Sequence, residues 1–251
     1  MRRTEETDWA AQGWERLAPR VGRRRLPGWD CTVGLVVGDR AALLVDAGST
    51  LREGAELREQ TRRLLRGGPG RVREVTHVAL THAHFDHVMG ASVFGAARVY
   101  GAAGIGAVLT AGREELRADA VRHGVAPDDA ARAAEALASP GVEVTGSLSL
   151  DLGGLVVVLA DVGPGHTRND LAVLVPGEPA VVFCGDLVEE SGEPQAGPDA
   201  EALRWPFAVD RLLGLGGAGA VYVPGHGAVV DAGFLREQRA ALAARRLRLR
   251  L

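Results

Sequence analysis

Residues 80–90, LTHAHFDHVMG, place three histidines and one aspartate within six positions of a chain that holds seven histidines in all. Packing does not account for that density, because buried unpaired imidazoles and carboxylates carry a desolvation cost of several kcal/mol. The preceding REVTHVALT alternates as a strand, so the chain reaches His82 extended. Alternate side chains of an extended segment share a side, which turns His82 and His84 the same way and lets both imidazoles close on one cation from a strand end. Asp86 and His87 lie one step further on. If a helix begins there, that pair is displaced from the first by a few ångströms and suits a neighbouring ion. All four are ligand types that zinc, iron and manganese accept.

Three later segments share one grammar, an apolar strand ending in glycine and a ligand type. ADVGPGHTRND presents His166, VVFCGDLV presents Asp186, and VYVPGHGAVV presents His226. Each emerges where a strand enters a turn, the usual place for functional groups on α/β sheets. Singly, each also reads as an ordinary turn residue. With the first cluster they complete a set of seven candidate ligands.

The rest of the pattern predicts strands, helix, strand, helices, strands, helix, strand, helix. CTVGLVVG and AALLVDAG form a hairpin across Gly38-Asp39-Arg40, where the sheet is expected to begin. Residues 50–66 carry Leu57, Thr61, Leu64 and Leu65 at helical spacing, and 101–138 reads as two or three helices. VEVTG, LSLDLGG, LVVVLADV, LAVLVPG and AVVFCGD follow as a second run of strands, Pro206 opens a short helix, and Asp231 caps a last one. We therefore expect one layered α/β domain over 1–251, with 1–27 as an N-terminal extension. Residues 191–200, SGEPQAGPDA, are either a substrate-side loop or a plain surface connection.

A formal charge of −3 and a pI near 6.2 give no footprint for nucleic acid or an anionic membrane. A small-molecule substrate is the expected partner. All 29 basic residues are arginine, so lysine chemistry is excluded. The charged start lacks a signal peptide's apolar core and no segment approaches the ~20 apolar residues of a membrane span, which predicts a cytoplasmic protein. Cys31 and Cys184 suggest no disulfide framework, and Cys184 ends the buried run AVVFC.

The H-x-H-x-D-H run with separated His, Asp and His in that order resembles the metallo-β-lactamase superfamily, over residues 30–235. The resemblance implies a four-layer αβ/βα sandwich with two divalent metal ions at one edge, zinc first, iron or manganese also compatible. It implies His82, His84 and His166 on the first metal, Asp86, His87 and His226 on the second, and Asp186 bridging them. Asp46 matches an aspartate that supports such sites from outside, or is simply a polar strand end. Zinc β-lactamases of one group place a cysteine on the second metal and a lysine on the antibiotic carboxylate; this chain has Asp186 at the former position and no lysine for the latter. Asp186 is similar instead to the glyoxalase II, lactonase and esterase branch.

The reading that follows is a dinuclear hydrolase of an ester, thioester, lactone or amide, in which a metal-bridging hydroxide attacks and Asp86 orients it and passes its proton on. The alternative is a mononuclear non-haem iron oxidoreductase resembling persulfide dioxygenases, and a third is a metal-stabilised scaffold without turnover. His77 and His123 read as structural or exposed, Tyr222 as core, and Arg168 as a surface or supporting arginine rather than a substrate clamp. Trp9, Trp14, Trp29 and Trp205 read equally as pocket lining or core.

Overall fold

The computed structural model describes residues 7–68 and 70–248. Its first sheet begins earlier than the sequence suggested. Within the segment read as an extension, β1 (Glu15–Ala18) and β2 (Val21–Arg25) pair antiparallel, and β2 pairs with β3 (Thr32–Val37). The run VGRRR hides its period because strands near a sheet edge tolerate charge. Arg23 is nevertheless buried, donating to Glu15 and to the Gly227 carbonyl. The first six residues of that extension lie outside the described residues.

The hairpin across residues 38–40 forms as expected, joining β3 to β4 (Ala42–Val45). Both strands are covered on both faces, so their apolar residues divide with a period of two. Val33, Leu35, Val37, Ala42 and Leu44 face the helices, while Val36, Leu43 and Val45 face the second sheet. Helix α1 (Leu51–Gly67) lays Leu57, Leu64 and Leu65 on that first face. Thr50 Oγ1 caps it by accepting from the Glu53 amide at 3.1 Å, and Glu53 reaches back to the Ser49 amide at 2.8 Å. Thr50→Ala is therefore expected to cost about 1 kcal/mol, read as a fall of roughly 3 °C in Tm by thermal denaturation.

β5 (His77–Ala79) is shorter than the alternating run predicted, and α2 (Phe85–Val88) begins one residue after His84. A strand the sequence reading missed, β6 (Arg98–Ala102), runs into the first two residues of the predicted helical stretch, and its glycine and alanine carry little strand signal. Three helices follow, α3 (Ile105–Ala111), α4 (Arg113–Arg122) and α5 (Pro127–Glu135), and β7 (Val142–Val144) ends the seven-stranded sheet, ordered β1 through β7.

The second sheet holds β8 (Ser147–Asp151), β9 (Val156–Asp161), β10 (Leu171–Val175) and β11 (Val181–Glu189). After α6 (Trp205–Gly216), β12 (Val221–His226) joins β11 in parallel, and α7 (Ala232–Arg248) closes the described chain, with Asp231 accepting from the Phe234 amide. The sheets pack face to face around Val36, Leu43, Val173 and Phe183, and α6 and α7 cover the outer face through Trp205, Leu212 and Leu235. The result is a four-layer αβ/βα sandwich. Parallel pairs β4–β5 and β11–β12 end at the same edge, so Asp46, His82, Asp186 and His226 leave their strands there together.

Candidate metal centre

Five imidazoles and two carboxylates meet at this edge. His84 is extended (φ −105°, ψ 152°), as the alternation argument required, and α2 then carries Asp86 and His87 around its first turn. His166 comes from the loop after β9, Asp186 from β11 and His226 from the last position of β12. His82, His84, His166 and Asp186 offer ligand atoms all within 4.8 Å of one another, as do His87, Asp186 and His226. Asp186 thus belongs to both groups. Asp86 joins the second through Oδ2, 3.3 Å from His226 Nε2 and 3.6 Å from His87 Nε2.

Each imidazole commits one nitrogen to an acceptor outside the cluster and turns the other inward. His87 Nδ1 donates to Asp46 Oδ2 at 2.9 Å. Thr81 Oγ1 donates to the same oxygen at 2.8 Å and receives His82 Nδ1 at 3.0 Å. His84 Nε2 donates to Asp199 at 3.1 Å, His166 Nδ1 to the Gln195 carbonyl at 3.1 Å, and His226 Nδ1 to the Trp29 carbonyl at 2.7 Å. Such outer partners fix ring orientation, leaving the second nitrogen of each of the five rings aimed at one space. His84 Nδ1 and His166 Nε2 face each other at 3.0 Å, His82 Nε2 is buried without a hydrogen-bond partner, and Asp186 Oδ1 has only His87 Nε2 beside it, at 3.2 Å. Divalent cations fit this donor set, because mixed imidazole and carboxylate ligation satisfies each of those lone pairs.

Burial and mutual charge set the protonation of the cluster. Burial, with neighbouring imidazoles, holds His82 well below the usual histidine range and takes His166 to about 4. At His226 burial is outweighed by Asp186 and Asp86, which push it up to about 12. For Asp186 burial is likewise outweighed, by His87 and His82, and its carboxyl lies well below the usual range. Burial raises the Cys31 thiol to about 11, and Sγ donates to the Asp86 carbonyl at 3.2 Å.

A cleft of about 650 Å³ opens onto the cluster, walled by α4, by residues 191–199 and by Trp29 and Phe85. Residues 191–200 are thus more than a surface connection. Of the tryptophans, Trp29 lines the cleft, Trp205 packs against His166 at 5.3 Å between ring centroids, and Trp9 and Trp14 belong to the first core. His123, read as structural or exposed, stacks on Phe85 and lines the cleft. His77 stacks on Tyr100 away from it, and Tyr222 is core. Arg168 is 72% exposed and faces Glu201. Asp199 and the carbonyls of Trp29 and Gln195 escaped the sequence reading. No spacing marks a loop aspartate, and a carbonyl has no side-chain signature.

The family model of the Metallo-beta-lactamase superfamily matches residues 26–248, and the chain belongs to that superfamily. A metallo-beta-lactamase from Pontibacter korlensis is similar in structure with a TM-score of 0.70 at 20% identity, over 92% of this chain and 98% of that one. The mono-zinc form of the metallo-beta-lactamase FIM-1 from Pseudomonas aeruginosa gives 0.68 at 21% identity, over 92% and 94%. A curated relative, metallo-beta-lactamase domain-containing protein 1 from Xenopus laevis, is 33% identical over 122 residues, 48% of this chain and 40% of the relative's length. Members of this superfamily are mostly hydrolases, and the His/Asp cluster can hold metal. Among the described residues no helix is long and apolar enough to cross a membrane.

Proposed function

We propose that the protein is a dinuclear metal-dependent hydrolase of a small ester, thioester, lactone or amide. The inward convergence of five imidazole nitrogens on two carboxylates, each ring anchored from outside, is the observation that carries this reading. His82, His84 and His166 would hold one ion and Asp86, His87 and His226 the other, with Asp186 between them. Two divalent ions held there supply Lewis acidity, lowering the pKa of water towards neutrality and polarising a carbonyl. Asp86 offers its carboxylate at the base of the cleft, placed to take the proton of the attacking water and return it to the leaving group. Phe85, Trp29 and Leu116 line the cleft and would keep bulk water from one side of a bound carbonyl. The second donor group favours this reading over a mononuclear iron oxidoreductase, since Asp86, His87 and His226 would otherwise form a costly desolvated cluster.

Elemental analysis of protein purified without chelators is expected to give two equivalents of zinc, iron or manganese per chain. Such protein is expected to hydrolyse a chromogenic ester or lactone. His84→Ala is expected to lower kcat/KM on the order of 10³-fold, as loss of a group that stabilises the transition state does. Less than one metal per chain, or oxygen consumption with a persulfide at one iron per chain, would overturn the proposal.

A further inference from the structure

The wall of the cleft carries a charge pattern that the ligand set does not explain. Glu115, Asp119 and Arg122 stand at positions i, i+4 and i+7 of α4, on one helix face that lines the cleft, and Glu189, Glu193 and Asp199 line it as well. Arg122 is the one arginine among the described lining residues, and Asp119 already meets it at 2.7 Å. Asp119 also lies 3.3 Å from His123, Glu193 pairs with Arg245 of α7, and Asp199 is held by His84. Glu115 is exposed and makes no ion pair among the described residues, and Glu189 accepts only from Ser191 and no cation. No unpaired cation therefore faces an incoming carboxylate or phosphate, and Arg168 points to Glu201 instead. Beside the acidic residues lie Trp29, Phe85, Val108 and Leu116, an apolar and aromatic shelf reaching from the ligands to α4.

We propose that the cleft selects acyl substrates whose chain beyond the scissile carbonyl is apolar and ends neutral or cationic, and that it discriminates against anionic chains. The inference rests on the hydrolase reading above and names the substrate class of that site. Its physical basis is a gradient. Cations held by the ligand cluster would draw the carbonyl oxygen, while the carboxylates of the cleft wall repel a second negative charge and favour an ammonium group. An aromatic shelf suits both an aliphatic chain and a cation over a ring face.

The test is a matched series, p-nitrophenyl hexanoate with its ω-amino and ω-carboxy analogues, assayed on metal-loaded protein. The ω-carboxy ester is expected to show kcat/KM about tenfold below hexanoate, the ω-amino ester at least equal to hexanoate, and the spread is expected to shrink as ionic strength rises. Glu115→Arg, an exposed position, is expected to raise the ω-carboxy rate relative to hexanoate by about threefold or more. An ω-carboxy ester cleaved as well as hexanoate, or a ratio unmoved by Glu115→Arg, would overturn the inference. Calorimetric binding of the three corresponding hydroxamates separates this claim from the hydrolase reading. If no ester is cleaved yet the hydroxamates bind in the expected order, the hydrolase reading falls and the charge selection stands. Equal hydroxamate affinities overturn the charge selection whatever the esterase result.

Discussion

Gly225→Ala is expected to leave a folded protein that has lost most of its metal. Gly225 lies on β12 beside β11, and a methyl group built on its α-carbon overlaps Asp186 Oδ1 and lies 3.0 Å from the Asp186 backbone nitrogen. The backbones cannot move apart to absorb it, because β11 and β12 are paired and buried. The cheapest relief is rotation of the Asp186 side chain, and that removes the one carboxylate shared by both ligand groups. Elemental analysis is expected to show well under one equivalent of metal, with far-ultraviolet circular dichroism near that of the parent. Retention of two equivalents would mean that Asp186 is not the bridging group.

Asp46→Ala is expected to be the most destabilising single substitution near the site. Asp46 sits at φ 60°, a left-handed conformation that a non-glycine residue adopts only where its surroundings hold it. Its two oxygens accept from the Thr81 amide at 2.8 Å, the Thr81 hydroxyl at 2.8 Å and His87 Nδ1 at 2.9 Å, all buried. Removing the carboxylate orphans those donors and leaves the His87 ring without its anchor. A loss of about 3 kcal/mol follows, or roughly 9 °C in Tm. Metal affinity should fall as well, by about 10- to 100-fold in a chelator competition, as is usual when the partner of a ligating histidine is removed. An unchanged Tm with weakened metal binding would show that Thr81 and His87 find other partners.

The ligand positions were legible because each carries its own signal. His82 and His84 alternate on an extended segment, and His166, Asp186 and His226 each follow an apolar run, although only His226 ends its strand, Asp186 lying within β11 and His166 in the loop after β9. Central strands were legible for a related reason, since burial on both faces gives largely apolar, β-branched runs such as those of β3 and β11. Where burial is one-sided, the signal weakens. β2 reads as charge because three of its five residues are arginine, and β6 escaped because RVYGA is short and two of its five residues are small. The outer partners were hidden for another reason. Asp199 meets His84 across 115 positions and Trp29 meets His226 across 197, so only the closed sandwich brings them together.

Two of those outer contacts are made by main-chain carbonyls, those of Trp29 and Gln195, whose residues also line the cleft. What grips the imidazole at these points is therefore independent of which side chain is present. Evolution or a designer can re-line the cleft at positions 29 and 195 with the catalytic floor left standing. At Asp199 the same freedom is missing, because there the grip belongs to the side chain itself. New specificities should accumulate at the first two positions, and the third should stay acidic while they do.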